Sequence, residues 1–417
     1  MRRGALVIIA AVFCFAASAC STSRPHYQPA DVQIGDPSFL RSLEAHTLSG
    51  LVEGNRAQVL LNGDEIFPAM LGTIRSAKST ISFANYVYED GPIAREMAAA
   101  LAERCRAGLG VNVLLDAYGS AHMPKRDKTI LRRSGCHLAF YRPLNPFAIK
   151  RFNHRNHRRI LVVDGRVAFT GGTGVGERWT GDGRHAGHWR QTDVRVEGPI
   201  VRFLQAAFAE NWRDATGILL TGDLYFPPPE RRGNLVAQSV KSSPTSGAAE
   251  AYLLFLLAID GARSSIRLTS PYFVPDNTLA EALARAARRG VDVSVITMGV
   301  PQSFQDRVVR RAGQARYGRQ LEAGVKIYEY GPAFLHAKTI VVDDQWVSIG
   351  SANFDNRSFA LNNELNLTFF DRAMAKQFDK IFSEDLQFTK RVTFEAWQRS
   401  LIGQLFYTPL APFHGQL

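Results

Sequence analysis

One pattern occurs twice in the chain, and the duplication constrains the fold more than any other feature. Ala77-Lys78-Ser79-Thr80-Ile81 is echoed by Ala262-Arg263-Ser264-Ser265-Ile266. Each copy continues into a strand-like run that ends in aromatics, Tyr86 and Tyr88 in the first and Tyr272 and Phe273 in the second. An Ala-rich helical stretch follows, Ala94 to Ala107 and Leu279 to Arg289, closed by Gly108 and Gly110 or by Gly290. Glycine just past a periodic stretch ends a helix, because it adopts the left-handed conformation without a Cβ penalty. A β-rich run comes next, Val111 to Leu115 and Val291 to Val295. Strand, helix and strand of these lengths read as an α/β unit. The copies are offset by 185 residues at the start (262 − 77) and 180 at the later strand (291 − 111), far beyond a solenoid period. The sequence predicts a duplicated α/β lobe.

Each copy then carries a histidine, an apolar strand and a glycine turn. The second is His336-Ala337-Lys338-Thr339-Ile340-Val341-Val342-Asp343 with Gly350-Ser351-Ala352-Asn353. The first is His157-Arg158-Arg159-Ile160-Leu161-Val162-Val163-Asp164 with Gly171-Gly172-Thr173-Gly174, and the histidines are 179 residues apart (336 − 157). In extended backbone, positions i and i+2 face one side. His336 therefore points with Lys338, and His157 with Arg159. Glycine in the turn lets the backbone approach a ligand closely. Two such halves offer two imidazoles and two cations around a central anion, which suits a phosphodiester. The cations neutralise non-bridging oxygens as charge builds. One histidine can attack phosphorus while the other protonates the leaving alcohol.

These motifs resemble the phospholipase D superfamily, whose signature is H-x-K-x4-D followed by a G-[GS]-x-N turn, once per half. Within it the chain is most similar to bacterial cardiolipin synthases. Asn156 to Arg159, Trp189 to Pro199, Leu335 to Lys338, Gly350 to Ser358 and Asn363-Glu364 carry the likeness, which spans about Leu51 to Leu401. The resemblance implies an α/β fold of two similar lobes, each a mixed sheet flanked by helices, with one active site at their interface. It implies His157, Arg159, Asp164, His336, Lys338 and Asp343 as catalytic residues, with His157 the nucleophile and His336 the acid and then base. Gly172, Asp193, Ser351, Asn353 and Glu364 support them; Asp193 and Glu364 stand where an acid holds each imidazole by its other nitrogen. No cofactor and no metal are implied. Two departures mark the first half: Arg159 replaces the lysine, and Gly174 the asparagine. The implied activity is phosphatidyl transfer from phosphatidylglycerol or a related lipid through a phosphatidyl-histidine. Hydrolysis to a free phosphatidate, a periplasmic phosphodiesterase acting on nucleic acid, and a decayed lipid-binding protein stand as alternatives.

The remaining features concern location. Lys plus Arg exceed Asp plus Glu by 50 − 38 = 12, so an anionic partner is expected. Anionic phospholipid and the membrane surface fit that charge; nucleic acid is disfavoured by the export signal. Arg2 and Arg3 precede an uncharged run from Ala5 to Ala19, 15 residues against the roughly 20 of a spanning helix. This reads as a signal peptide over 1–19. Ala17-Ser18-Ala19-Cys20 resembles a lipobox, which makes Cys20 the expected lipidation site, and Ser21 implies the periplasmic side of the outer membrane. Plain cleavage after Ala19 is the alternative. A tether over 20–54 would precede lobes at 55–216 and 234–388, joined by a Pro-rich linker over 217–233 and closed by an appendage over 389–417. Cys105 and Cys136 are either a disulfide or two buried thiols. Lys150, Arg151, Arg155 and Arg158 either attract anionic head groups or form a solvated basic edge.

Overall fold

Each copy of the repeat folds into half of one sheet. The computed structural model describes residues 27–143, 154–243 and 250–399. The chain divides into two units, Met1–Ala30 and Asp31–Leu417. The signal peptide with Cys20, the basic pair Lys150 and Arg151, and the tail beyond 399 lie outside the described residues.

In the first half, β1 (Val52–Leu61), β2 (Thr80–Asn85), β3 (Gly110–Asp116), β4 (His137–Tyr141), β5 (Arg155–Asn156), β6 (Ile160–Val163), β7 (Val167–Gly171) and β8 (Thr192–Glu197) alternate with helices Asn62–Arg75, Pro92–Arg106, Lys125–Arg133 and Val201–Thr216. In the second, β9 (Leu235–Ser242), β10 (Ser265–Thr269), β11 (Phe273–Val274), β12 (Asp292–Met298), β13 (Lys326–Tyr330), β14 (Thr339–Val342), β15 (Trp346–Gly350), β16 (Phe354–Asp355) and β17 (Asn362–Phe370) repeat the plan, and β18 (Thr389–Val392) extends it. The sheet runs outward from its centre as β1-β8-β7-β6-β2-β3-β4 on one side and β9-β17-β15-β14-β10-β12-β13-β18 on the other. β2, β3 and β4 pair in parallel, as do β10, β12 and β13, so each half is mixed.

The mixed sheets of the two halves are joined at the centre. β1 pairs β8 through Arg56–Leu61 and β9 through Val52 and Asn55, with a register shift between. Ten residues are long enough to serve both neighbours. Among the described residues the result is one sheet of sixteen strands, with β5 attached to β17. Central pairing removes two exposed edges, which would otherwise invite association with other chains.

The motif strands are buried on both faces. Leu161 and Val163 enter the core built with Ile66, Met70, Met97 and Leu101, while Ile160 and Val162 enter the one built with Leu204, Phe208, Val347 and Phe378. Alternate residues of a strand face opposite layers, so an unbroken apolar run is what such a position needs. Burial of each aliphatic side chain contributes about 1.5–3 kcal/mol.

Cys105 and Cys136 form a disulfide with Cα atoms 5.4 Å apart. It ties the end of helix Pro92–Arg106 to the residue before β4 across 31 positions. Closing a loop of that length is worth about 3–4 kcal/mol through the unfolded chain. Replacing both cysteines by serine is therefore expected to lower the unfolding free energy by that amount in denaturant titrations. An unchanged midpoint would show that the cross-link contributes nothing.

Candidate active site

The functional side chains are set by extended segments that lead into β6 and β14. The backbone N–H of His157 donates to the Asn363 carbonyl at 3.0 Å, and that of His336 to the Arg190 carbonyl at 2.8 Å. Each histidine is thus pinned to the opposite half. Arg159 donates from Nη1 to the His157 carbonyl at 2.9 Å, and Lys338 from Nζ to the His336 carbonyl at 2.7 Å. Each cation bonds the carbonyl of its own histidine, and all four side chains are buried.

The structure brings His157, Arg159, His336, Lys338, Ser351 and Glu364 into one cluster. His157 Nδ1 lies 2.8 and 3.0 Å from the two carboxylate oxygens of Glu364, which crosses from the second half. Ser351 donates its hydroxyl to the same carboxylate, and Asn362 its amide at 3.3 Å. With Nδ1–H held by Glu364, Nε2 of His157 keeps its lone pair, the form a nucleophile requires. Arg159 Nη2 lies 3.3 Å from that nitrogen, and the Tyr86 ring stands edge-on to the imidazole at 5.2 Å. His336 is different. Trp189, Phe334 and Trp179 surround it at ring separations of 5.1, 5.9 and 6.2 Å.

Burial governs the charges. It pushes His157 down to about 4 against the opposing pull of Glu364. His336 falls well below the usual imidazole range, through burial first and then the charges of Lys338 and Arg159. Lys338 is pushed well below its ordinary value by burial and by Arg159. A phosphodiester would reverse these directions, because an anion among them favours every charged form. Three buried polar atoms of the site make no hydrogen bond: Arg159 Nε, Asp193 Oδ2 and Asn353 Oδ1. Uncompensated buried groups are rare and concentrate at functional sites.

Several expected residues stand elsewhere. Asp164 and Asp343 lie at the far ends of β6 and β14, seven residues from their histidines, about 20 Å of extended chain. Asp164 accepts from the backbone of Lys78, Ser79 and Thr80, and Asp343 from that of Arg263, Ser264 and Ser265. They clasp the turns before β2 and β10 and do not join the cluster. Asp193 does not hold His336 either. Its Oδ1 accepts from Gly172 N–H at 3.0 Å and from the Thr173 hydroxyl at 2.9 Å, and burial pushes its carboxyl up to about 6. The residue opposite the Nδ1 of His336 is Gln191, at 3.5 Å.

Register explains that miss. Gly171 pairs with Asp193 as Gly350 pairs with Asn366, so the counterpart of Glu364 is Gln191, two residues earlier. Asp193, the conspicuous acid in Trp189 to Pro199, points to the same face of the extended chain as Gln191 but stands two residues too far along it. Arg155 and Arg158, expected at an anion-attracting or solvated edge, are buried. Arg158 bridges the halves through the carbonyls of Glu364, Ala207 and Ser242 at 3.0–3.1 Å. Gly174 faces the Trp179 ring, where a Cβ would lie 2.7 Å from Cζ2, so the family's asparagine has no room. Among the described residues, no three His, Cys, Asp or Glu side chains converge to hold a metal ion.

Two duplicated α/β halves that share one buried centre of two histidines and two cations define a phosphodiester-transfer protein. Comparisons narrow the class. The family described as "Cardiolipin synthase, PLD-like domain" matches residues 70–182 and 255–386. Cardiolipin synthase A of Pseudomonas entomophila is 35% identical over 82% of this chain and 70% of its own length. The major cardiolipin synthase of Bacillus subtilis is 34% identical over 84% and 73%. Phosphatidylserine synthase of Haemophilus influenzae shares the fold, with a TM-score of 0.68 at 15% identity, over 90% of this chain and 98% of that one. The chain belongs to the cardiolipin synthase family of phospholipase D-like proteins.

Proposed function

We propose that the protein is a phosphatidyltransferase of the cardiolipin synthase type, acting on phosphatidylglycerol. The observation that carries this reading is the cross-half bond from Glu364 to His157, which readies one imidazole beside a second imidazole and two cations. Nε2 of His157 attacks phosphorus, the bond to the glycerol oxygen breaks, and His336 supplies the proton that glycerol leaves with. A hydroxyl of a second phosphatidylglycerol then attacks the phosphatidyl-histidine. His336 takes its proton, and the P–N bond returns its pair to His157. Two phosphatidylglycerols become cardiolipin and glycerol. Arg159 and Lys338 neutralise the phosphoryl oxygens throughout.

The test is mass spectrometry of lipids after incubating purified protein with phosphatidylglycerol in mixed micelles. Cardiolipin with equimolar glycerol is the expected result. Phosphatidate in its place would identify a hydrolase, and unchanged lipid would leave the lipid-binding alternative.

We further infer that the chain works outside the cytoplasm, lipid-anchored at the periplasmic side of the outer membrane. The Cys105–Cys136 disulfide supports an oxidising compartment, and the run before Cys20 supports export. Metabolic labelling with a fatty-acid analogue is expected to mark the wild type and not Cys20→Ala. Equal labelling of both would refute the anchor.

A further inference from the structure

The two imidazoles of the cluster are held by chemically different partners. Each histidine donates its backbone N–H to the residue just before its side-chain partner, Asn363 before Glu364 and Arg190 before Gln191. The backbone frame is therefore the same twice, and the side-chain partner it presents differs in charge. Glu364 presents a carboxylate to His157, whereas Gln191 presents an amide to His336. The amide is fixed. Gln191 is fully buried, its backbone N–H donates to Asn62 at 2.9 Å, and its Oε1 accepts from Thr192 N–H at 3.2 Å. That leaves Nε2, a donor only, facing Nδ1 of His336 at 3.5 Å. Gly172 belongs to the same adaptation. A Cβ there would lie 2.4 Å from Gln191 Nε2, so the serine found at Ser351 in the other half has no space here.

We propose that Gln191 is a positioning residue that keeps His336 uncharged in the resting site, with its one proton on Nε2, and thereby makes leaving-group protonation the slow step of the first transfer. This rests on the proposed role of His336. Giving a proton to departing glycerol turns an imidazolium into a neutral ring, but it would turn a neutral ring into an imidazolate, which is far less stable. His336 must therefore first take a proton from solvent water on Nδ1, the nitrogen that Gln191 covers with an N–H, before Nε2–H passes to glycerol. A carboxylate there would offset the imidazolium charge; an amide cannot. Of the other groups facing the ring, Lys338, Arg159 and His157 oppose a positive charge; the Gly172 carbonyl, the smallest of these influences, is the one that favours it. Trp179, Trp189 and Phe334 pack around the ring.

The test has two independent readouts. In protein labelled with 15N-histidine, His336 of the wild type at pH 7 is expected as the neutral Nε2–H tautomer, and His157 as the neutral Nδ1–H tautomer. In Gln191→Glu, His336 is expected to switch to Nδ1–H and to protonate at higher pH. The spectrum needs no turnover, so it stands even if the phosphatidyltransferase reading fails. It also needs only the wild type if the variant does not fold. The second readout is kinetic. Gln191→Glu is expected to raise kcat for phosphatidylglycerol by about tenfold, a fraction of the roughly 10²–10⁴-fold that a complete general acid supplies. A nitrophenyl phosphodiester, whose leaving group departs without a proton, should show no gain. A wild-type His336 that is charged at pH 7 or carries its proton on Nδ1 would overturn the proposal. So would equal change with both substrates, which is what a purely structural role for Gln191 predicts.

Discussion

His157→Ala and His336→Ala are each expected to lower turnover by about 10⁴-fold or more, roughly 5 kcal/mol of transition-state stabilisation. The double substitution should be little worse than either single one, because groups that act as one unit give non-additive losses. The geometry makes that interdependence concrete. His157 is oriented by a carboxylate of the second half, and His336 by a residue of the first. Neither half holds a complete site. Rapid quench in alkaline denaturant, which preserves a P–N bond, should trap the phosphatidyl group from labelled phosphatidylglycerol on a peptide containing His157. Label on His336 would reverse the roles, and full activity in either single variant would reject the mechanism. The nucleophile assignment follows from Glu364: a ring that accepts phosphorus at Nε2 becomes positively charged, and a carboxylate at Nδ1 stabilises that charge. His336 has no such partner among the described residues.

Much of this site was legible in the sequence because it was written twice. The spacing of His157 and Arg159, repeated at His336 and Lys338, located both cations without any structure. The glycine turns serve strand packing, where the sequence suggested close approach to a ligand. Gly171 and Gly350 sit where a Cβ would come within 2.1 Å of Asp193 Oδ1 and 2.2 Å of the Leu365 carbonyl. What failed was pairing across strands. Gln191 and Asp193 are two residues apart and share a face of the extended chain, so strand alternation does not choose between them; only the register against β7 does. Asp193 carried the expected charge and Gln191 did not, so the charge was followed and the position was missed. Asp164 and Asp343 show the same limit. Their spacing from the histidines is constant because both clasp a backbone turn, which is structural work at the far end of the strand. The fused sheet was illegible for a related reason. Nothing in Val52–Leu61 announces that one strand will serve two neighbours.

The cations provide the second large expected effect. Lys338→Ala and Arg159→Ala should each lower phosphatidylglycerol consumption by about 10²–10³-fold, the usual loss when one preorganised donor is removed. Arg159→Lys should remain within about tenfold of wild type. Arginine and lysine are not equivalent at a phosphate, because the guanidinium is a planar fork and the ammonium a compact charge. Here, however, both side chains are held in one way, by donation to the carbonyl of their own histidine. A lysine at 159 can therefore repeat the contact that Lys338 already makes. It forfeits Nη2 beside His157 and Nε, the buried donor with no present partner. Those two donors are what arginine adds, and their loss sets the modest penalty. Burial of Lys338 and of the two histidines also predicts proton uptake on binding. Lys338 is held well below its ordinary value in the resting site, and a phosphodiester anion pulls it back up. Calorimetry of a non-hydrolysable phosphatidylglycerol analogue in buffers of different ionisation enthalpy should record protons taken up by the wild type, and fewer by Lys338→Ala. Wild-type turnover in Arg159→Ala would show that Lys338 alone carries the phosphoryl charge.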